Sequence, residues 1–180
     1  THAHVGEAAG GDGSAALQPD VRVLDALNVW SPSLGRARAG GITTVNVMPG
    51  SGHLLSGQTA YLKLRKGNSI QELLLCKDLL NEVCGGMKMA NGTNPMRDNG
   101  TFPGTRSRSA AMARQLFIKA QAYQRKIKEA AGEAAKMPER DLQLEALVQV
   151  LEGKRTVHFH THRADDILTA IRIGQEFGFK

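Results

Sequence analysis

The chain has 180 residues, 41% hydrophobic and 22% charged, with a formal net charge of +6. This composition is ordinary for a globular domain with one sizeable core. No apolar run approaches the roughly 20 residues of a membrane-spanning helix, and no signal-peptide pattern is visible. Residue 1 is Thr rather than Met, so the natural start is expected to lie upstream and localisation stays unassigned, cytoplasmic by default.

Thr1 to Val5 reads as the tail of a strand, and Gly6 to Pro19, small and polar, as a loop. Gly10-Gly11-Asp12-Gly13 within it lacks the alternating acids of an EF-hand and the strand-to-helix setting of a dinucleotide site, so it reads as a flexible loop. Ser31-Pro32 starts a helix, an N-cap serine with proline at the first helical position, and Gly40-Gly41 ends it. Ile42 to Met48, rich in β-branched residues and bounded by glycine and Pro49-Gly50, predicts a strand. Thr59 to Leu64 predicts another. Ser69-x-x-Glu72 has the form of a capping box, which predicts a helix to about Val83 with Leu73, Cys76, Leu80 and Val83 on one face. Cys76 and Cys84 then fall on that helix and just past its end, without a C-x-x-C, so two buried or half-buried thiols are expected rather than a disulfide.

Met87 to Ala90 predicts a short strand before the turn-rich Asn91-Gly92-Thr93-Asn94-Pro95. A long helix is expected from about Ser107 to Ala131, with Met112, Leu116, Ala120, Tyr123 and Ile127 inward. A second is expected from Glu139 to Glu152 on the stripe Leu144, Leu147, Val148 and Leu151. Thr156 to His160 returns as a strand. Arg163 to Phe177 is a final helix, with Asp165 and Asp166 in its first turn and Ile167, Ala170, Ile171 and Gly174 as its packing face. Alternating strands and helices predict parallel βα units in an α/β fold. A (β/α)8 barrel takes roughly 250 residues. Residues 1–180 are therefore read as one domain, a partial TIM barrel of roughly the first five βα units, truncated at both ends.

Eight basic residues lie between Arg97 and Lys128 (Arg97, Arg106, Arg108, Arg114, Lys119, Arg125, Lys126, Lys128) against one acid, Asp98. Without interleaved aromatics for base stacking, this reads as the solvated face of the long helix, and neither nucleic acid nor membrane is an expected partner.

Two histidine pairs carry the functional signal, His2-Ala3-His4 and His160-Thr161-His162. On a strand an H-x-H triplet puts both imidazoles on one face, and imidazole is the commonest ligand of zinc-class metals. In a parallel barrel the active site lies at the C-terminal strand ends. His2, His4, Lys88 and His160 fall at that rim, an arrangement suited to one or two divalent ions. Lys88 could bind a cation only as the neutral amine or as the carbamate formed from it with carbon dioxide; the competing reading is a snorkelling surface lysine. His158 shares the face of His160 and His162 but lies deeper, where a core role is expected. His53, in the loop after the second strand, suits substrate contact or simple exposure. No GK[ST] follows Gly50-Ser51-Gly52, and no G-x-S-x-G elbow is present, which argues against a P-loop and a serine nucleophile.

The segments Thr1-His2-Ala3-His4-Val5-Gly6, Gly41-Ile42-Thr43-Thr44-Val45, Gly86-Met87-Lys88-Met89-Ala90-Asn91-Gly92-Thr93-Asn94-Pro95 and His160-Thr161-His162-Arg163-Ala164-Asp165-Asp166-Ile167 resemble the metal-dependent amidohydrolases, in particular the imidazolonepropionase-like branch. The resemblance implies a hydrolase acting on a carbon–nitrogen bond of an amide, cyclic amide or dipeptide through a metal-activated water. It implies His2, His4 and His160 as ligands of one or two ions, zinc above all, Lys88 as a candidate carboxylated lysine, and His162, Arg163 and His53 toward substrate. Thr93 stands where glutamate is expected in close relatives. The family also uses a sixth-strand histidine and an eighth-strand shuttle aspartate, for which 180 residues leave no room. The 180 residues alone are therefore expected to be poorly soluble and inactive, and the full-length protein an active enzyme that could be a homo-oligomer. Two alternatives stay open: a basic RNA- or phosphate-binding module with structural histidines, and a barrel that has lost catalysis.

Overall fold

The computed structural model describes residues 2–6, 11–79, 81–98 and 100–180. Among these residues six strands and four helices follow in the order β1 (His2–Ala3), α1 (Pro32–Ala39), β2 (Thr44–Val47), β3 (Leu55–Gln58), β4 (Ala60–Lys63), β5 (Met87–Ala90), α2 (Arg106–Ala130), α3 (Leu142–Leu151), β6 (Val157–His160) and α4 (Ala164–Phe177). Single 3-10 turns occur at Val23–Ala26, Ile70–Glu72 and Ala134–Lys136.

The strands form two three-stranded sheets, ordered β1-β2-β4 and β3-β5-β6, and the described residues do not close a barrel. The outer pairs β1/β2 and β5/β6 are parallel, as the alternation of elements predicts. The middle is not: β2/β4 and β3/β5 are antiparallel. A parallel return needs a crossover of about a dozen residues or more. Only the helix-free stretch 48–54 separates β2 from β3, so the chain turns straight back. β3 and β4 are one extended run, bent at Thr59, whose first half pairs with β5 and second half with β2. The seam is tight. Thr59 N donates to Gly86 O (2.9 Å), Gly86 N donates to Thr59 Oγ1 (2.8 Å), and a Cβ on Gly85 would sit 1.8 Å from Thr59 O.

The β3-β5-β6 sheet is covered by α2, α3 and α4. Met87 and Met89 enter this core with Phe117, Leu147, Val150, Ile173 and Phe177. Phe117 stacks on Phe177 and Phe179 at centroid distances of 5.1 and 4.8 Å. Side chains cap the starts of α2 and α3: Thr105 Oγ1 accepts from Arg108 N and Asp141 Oδ1 from Leu144 N. The basic residues Arg108, Arg114, Lys119, Arg125, Lys126 and Lys128 are exposed on α2. The β1-β2-β4 sheet instead carries Val45, Val47, Leu62, Leu34, Leu73 and Leu74 beneath α1 and irregular chain.

Three expectations are corrected. The helix from Ser69 to Val83 does not form. Ser69 Oγ does reach Glu72 Oε1 (3.2 Å), but after one 3-10 turn Leu74 bridges to Leu62 and Leu75 N donates to Tyr61 O (3.0 Å). Leu73 and Leu74 are both buried under this bridge, while Leu75 is exposed. Leu80, expected on that face, lies outside the described residues. Secondly, Cys76 and Cys84 form a disulfide, their Cα atoms 5.2 Å apart. Eight helical residues would have separated them by about 12 Å; without the helix the chain folds back on itself. Thirdly, α4 buries Asp166, Ile173 and Phe177, whereas Ile167 and Ile171 are 44% and 48% exposed. This helix is apolar on two sides. The side toward α2 and the β5/β6 core is covered. The other lines a groove of about 500 Å3 with Val157, Phe159, Ala170, Ile171, Gly174 and Phe179.

Candidate functional site

The face of the strands away from the helices carries a cavity of about 830 Å3, with His2, Asn46, Tyr61, Lys88, His158 and His160 on its wall. Strand alternation and register build it. On β5, Met87 and Met89 point into the helix-covered core, so Lys88 between them lines the cavity. The ladder sets Lys88 opposite His158 and Ala90 opposite His160. In the other sheet Asn46 is the cross-strand partner of both His2 and Tyr61. The two sheets meet at His158 Nε2, which lies 3.0 Å from Asn46 Nδ2 and 3.4 Å from Tyr61 OH. Asn46 Oδ1 is buried without a partner among the described residues, and the end of the amide turned toward His158 sets which ring nitrogen carries the hydrogen.

No carboxylate is on the cavity wall, and among the described residues none pairs with Lys88. Burial lowers the Lys88 pKa from its ordinary 10.5. The same cause, followed by the nearby Lys88 charge, lowers His2, His158 and His160 from 6.5. The site therefore favours neutral nitrogen donors over cations.

His2, Lys88 and His160 come together on this cavity. His4 follows on from β1 with its ring centroid 6.0 Å from that of His2, and it does not line the cavity. Its Nδ1 lies 2.7 Å from Met48 O. A carbonyl can only accept, so Nδ1 carries the hydrogen and Nε2 keeps a free lone pair, the orientation that metal-bound histidines commonly have. His160 and His162 approach with Nε2 atoms 2.9 Å apart, one hydrogen lying between them. Arg163 is exposed and paired with Asp165 (2.9 Å). His53 is 6% exposed, packed at 5.5 Å on Phe102 with Nδ1 unpartnered, and lies off the cavity. Among the described residues no three His, Cys, Asp or Glu side chains are grouped closely enough to hold an ion.

Asn46 and Tyr61 escaped the sequence reading. Asn46 had a signal: a polar residue between Val45 and Val47 must face away from the core that those two valines enter.

No family model matches the chain. A crystal structure of an amidohydrolase from Thermotoga maritima superposes with a TM-score of 0.88 and 36% identity, covering 100% of this chain and 48% of that one. The amidohydrolase tasK of Hapsidospora irregularis is 28% identical over 184 residues, which is 93% of this chain and 19% of the fungal protein. This chain thus spans about half of the first and a fifth of the second. Both similarities support the amidohydrolase family, and the first shows that the mixed α/β fold described above is shared with such a protein.

Proposed function

We propose that the chain forms one side of the active site of a metal-dependent hydrolase, of the imidazolonepropionase-like branch, that cleaves a carbon–nitrogen bond in an amide, cyclic amide or dipeptide. In this reading residues 1–180 contribute roughly the first five βα units of a (β/α)8 barrel. The observation that carries it is the convergence of His2, Lys88 and His160 on one cavity, in a chain 36% identical to an amidohydrolase of about twice its length.

The donor chemistry fits a divalent ion. His4 offers a free Nε2 lone pair, and burial holds His2 and His160 neutral and favours the amine form of Lys88. The set is incomplete without further ligands, which the family resemblance places on a sixth and an eighth strand. A zinc-class ion here would lower the pKa of a water to about 7 and polarise the scissile carbonyl. The chain's own residues do the rest. The neutral Nζ of Lys88 can attack carbon dioxide, forming an N–C bond and releasing one proton, which leaves an anionic oxygen ligand. The His160–His162 pair can hold a proton between its ring nitrogens. Asn46 and Tyr61 fix the position of the His158 ring. His162 and Arg163, exposed just beyond His160, would meet the substrate. The apolar groove on the free side of α4 supports a larger barrel, in which a following βα unit would cover Ile167 and Ile171.

The test uses the longer protein and a set of dipeptides, N-acyl amino acids and cyclic amides. Lys88→Ala is expected to abolish hydrolysis, and short carboxylic acids such as acetate are expected to restore part of it by supplying the missing anion. Wild-type rates in Lys88→Ala would contradict the site. Loss without rescue would remove the carbamate and leave the histidines.

A further inference from the structure

The disulfide between Cys76 and Cys84 closes a loop whose two ends grip one residue of β4. Leu75, beside the first cysteine, donates its N–H to Tyr61 O at 3.0 Å. Tyr61 N in turn donates to the carbonyl of Cys84 at 2.9 Å. Tyr61 faces Asn46 across the ladder to β2, but its own N–H and C=O point to the two arms that the disulfide joins, the second of which is also anchored next to Cys84 by the bonds of Gly85 and Gly86 to Thr59 and Arg155. The Tyr61 side chain lines the cavity, with its hydroxyl 3.4 Å from His158 Nε2. Covalent closure and cavity geometry therefore meet at a single residue. Both cysteines are half-buried, within reach of a small thiol, and Cys84 also lines a polar cleft of about 500 Å3 on the far side of the loop.

We propose that Cys76–Cys84 is a thiol–disulfide exchange site that acts as a clip on the cavity. In the reaction a dithiol delivers two electrons and two protons. The Cys76–Cys84 bond breaks to two thiols, and the dithiol closes to its own disulfide through a mixed-disulfide intermediate. Leu73 and Leu74 stay buried and keep the loop's first arm near β4, and Gly85 and Gly86 keep their bonds to Thr59 and Arg155, but Cys84 itself loses its covalent link to the first arm. Tyr61 then loses the fixed partners of its N–H and C=O, and its phenol leaves His158. The inference needs only the cavity and stands whether or not the site hydrolyses amides.

The longer protein tests it, with dithiothreitol as the reductant and residue-resolved hydrogen exchange and histidine resonances read by NMR. Protein handled in air is expected to contain no free thiol. Reduction is expected to speed amide exchange at Tyr61 and Leu75 by about tenfold or more while leaving Met87 and Ala90 of β5 unchanged, as local opening requires. The His158 ring resonance is expected to move on reduction in the wild type and to stay in Tyr61→Phe. A Cys76→Ser/Cys84→Ser double variant should match the reduced protein and ignore the reductant. Two free thiols in air, unchanged exchange at Tyr61 and Leu75, or equal acceleration along the whole chain would each overturn the clip. An equal His158 shift in Tyr61→Phe would overturn its link to the cavity.

Discussion

The two sheets are neighbours of similar size, yet they are held in different ways. The β3-β5-β6 sheet lies under three helices and a continuous core in which Phe117, Met87, Met89 and Leu147 have no solvent exposure. The β1-β2-β4 sheet lies under one eight-residue helix, 3-10 turns and a disulfide-closed loop. Regular cover imposes one register on everything beneath it. Irregular cover holds each point separately, through a leucine, a hydrogen bond or a cysteine pair. The cavity spans both, taking Lys88, His158 and His160 from the first and His2, Asn46 and Tyr61 from the second.

The largest expected difference between the regions is in cavity cost. Phe117→Ala removes a ring stacked on two others and should cost about 4 kcal/mol, whereas Leu73→Ala, under chain that can settle into the gap, should cost about 2.5 kcal/mol. Urea unfolding of both variants checks this, and equal or reversed costs would break the comparison. Next comes the seam. Gly85→Ala drives a Cβ to 1.8 Å from Thr59 O, a backbone atom, and should cost about 3 kcal/mol, lowering Tm for both regions together. A variant with unchanged Tm would mean that the bent run at Thr59 does not couple the sheets.

The smallest effect concerns His53. Burial, followed by the charge of Arg97, holds its pKa below 6.5 in the folded chain. Its stabilising share is complete above the unfolded value near 6.5 and is lost as pH falls through the lowered folded value. His53→Leu should flatten the fall in Tm across that window, and an identical pH profile would show that the buried ring does not set it.

Legibility followed the same division. In the helix-covered region the apolar stripes Leu116, Ala120, Tyr123 and Leu147, Val148 mark α2 and α3, and Met87-Lys88-Met89 alternates so that one residue in two must face away from the helices. That alternation is why Lys88 and His160 could be set on one face from sequence. Elsewhere the local pattern misleads. Ser69-x-x-Glu72 has the form of a helix start, but the exposed edge of β4 draws Leu75 into a strand-like bond, a tertiary contact that no window of sequence contains. Leu55-Ser56-Gly57-Gln58 has too little apolar alternation to read as a strand, so the antiparallel centre was invisible and with it the place of Tyr61. In α4 the sequence has two apolar sides, and periodicity alone does not say which one meets the core.

The central claim is that the face carrying His2, His4, Lys88 and His160 holds a divalent metal. The most direct measurement is elemental analysis of the longer protein after dialysis against metal-free buffer, compared with a His2→Ala/His160→Ala double variant whose circular dichroism is unchanged. The account predicts about one or two zinc-class ions per wild-type chain and loss of at least one from the variant. A wild-type protein without stoichiometric metal, or a folded double variant that retains all of it, would contradict the account.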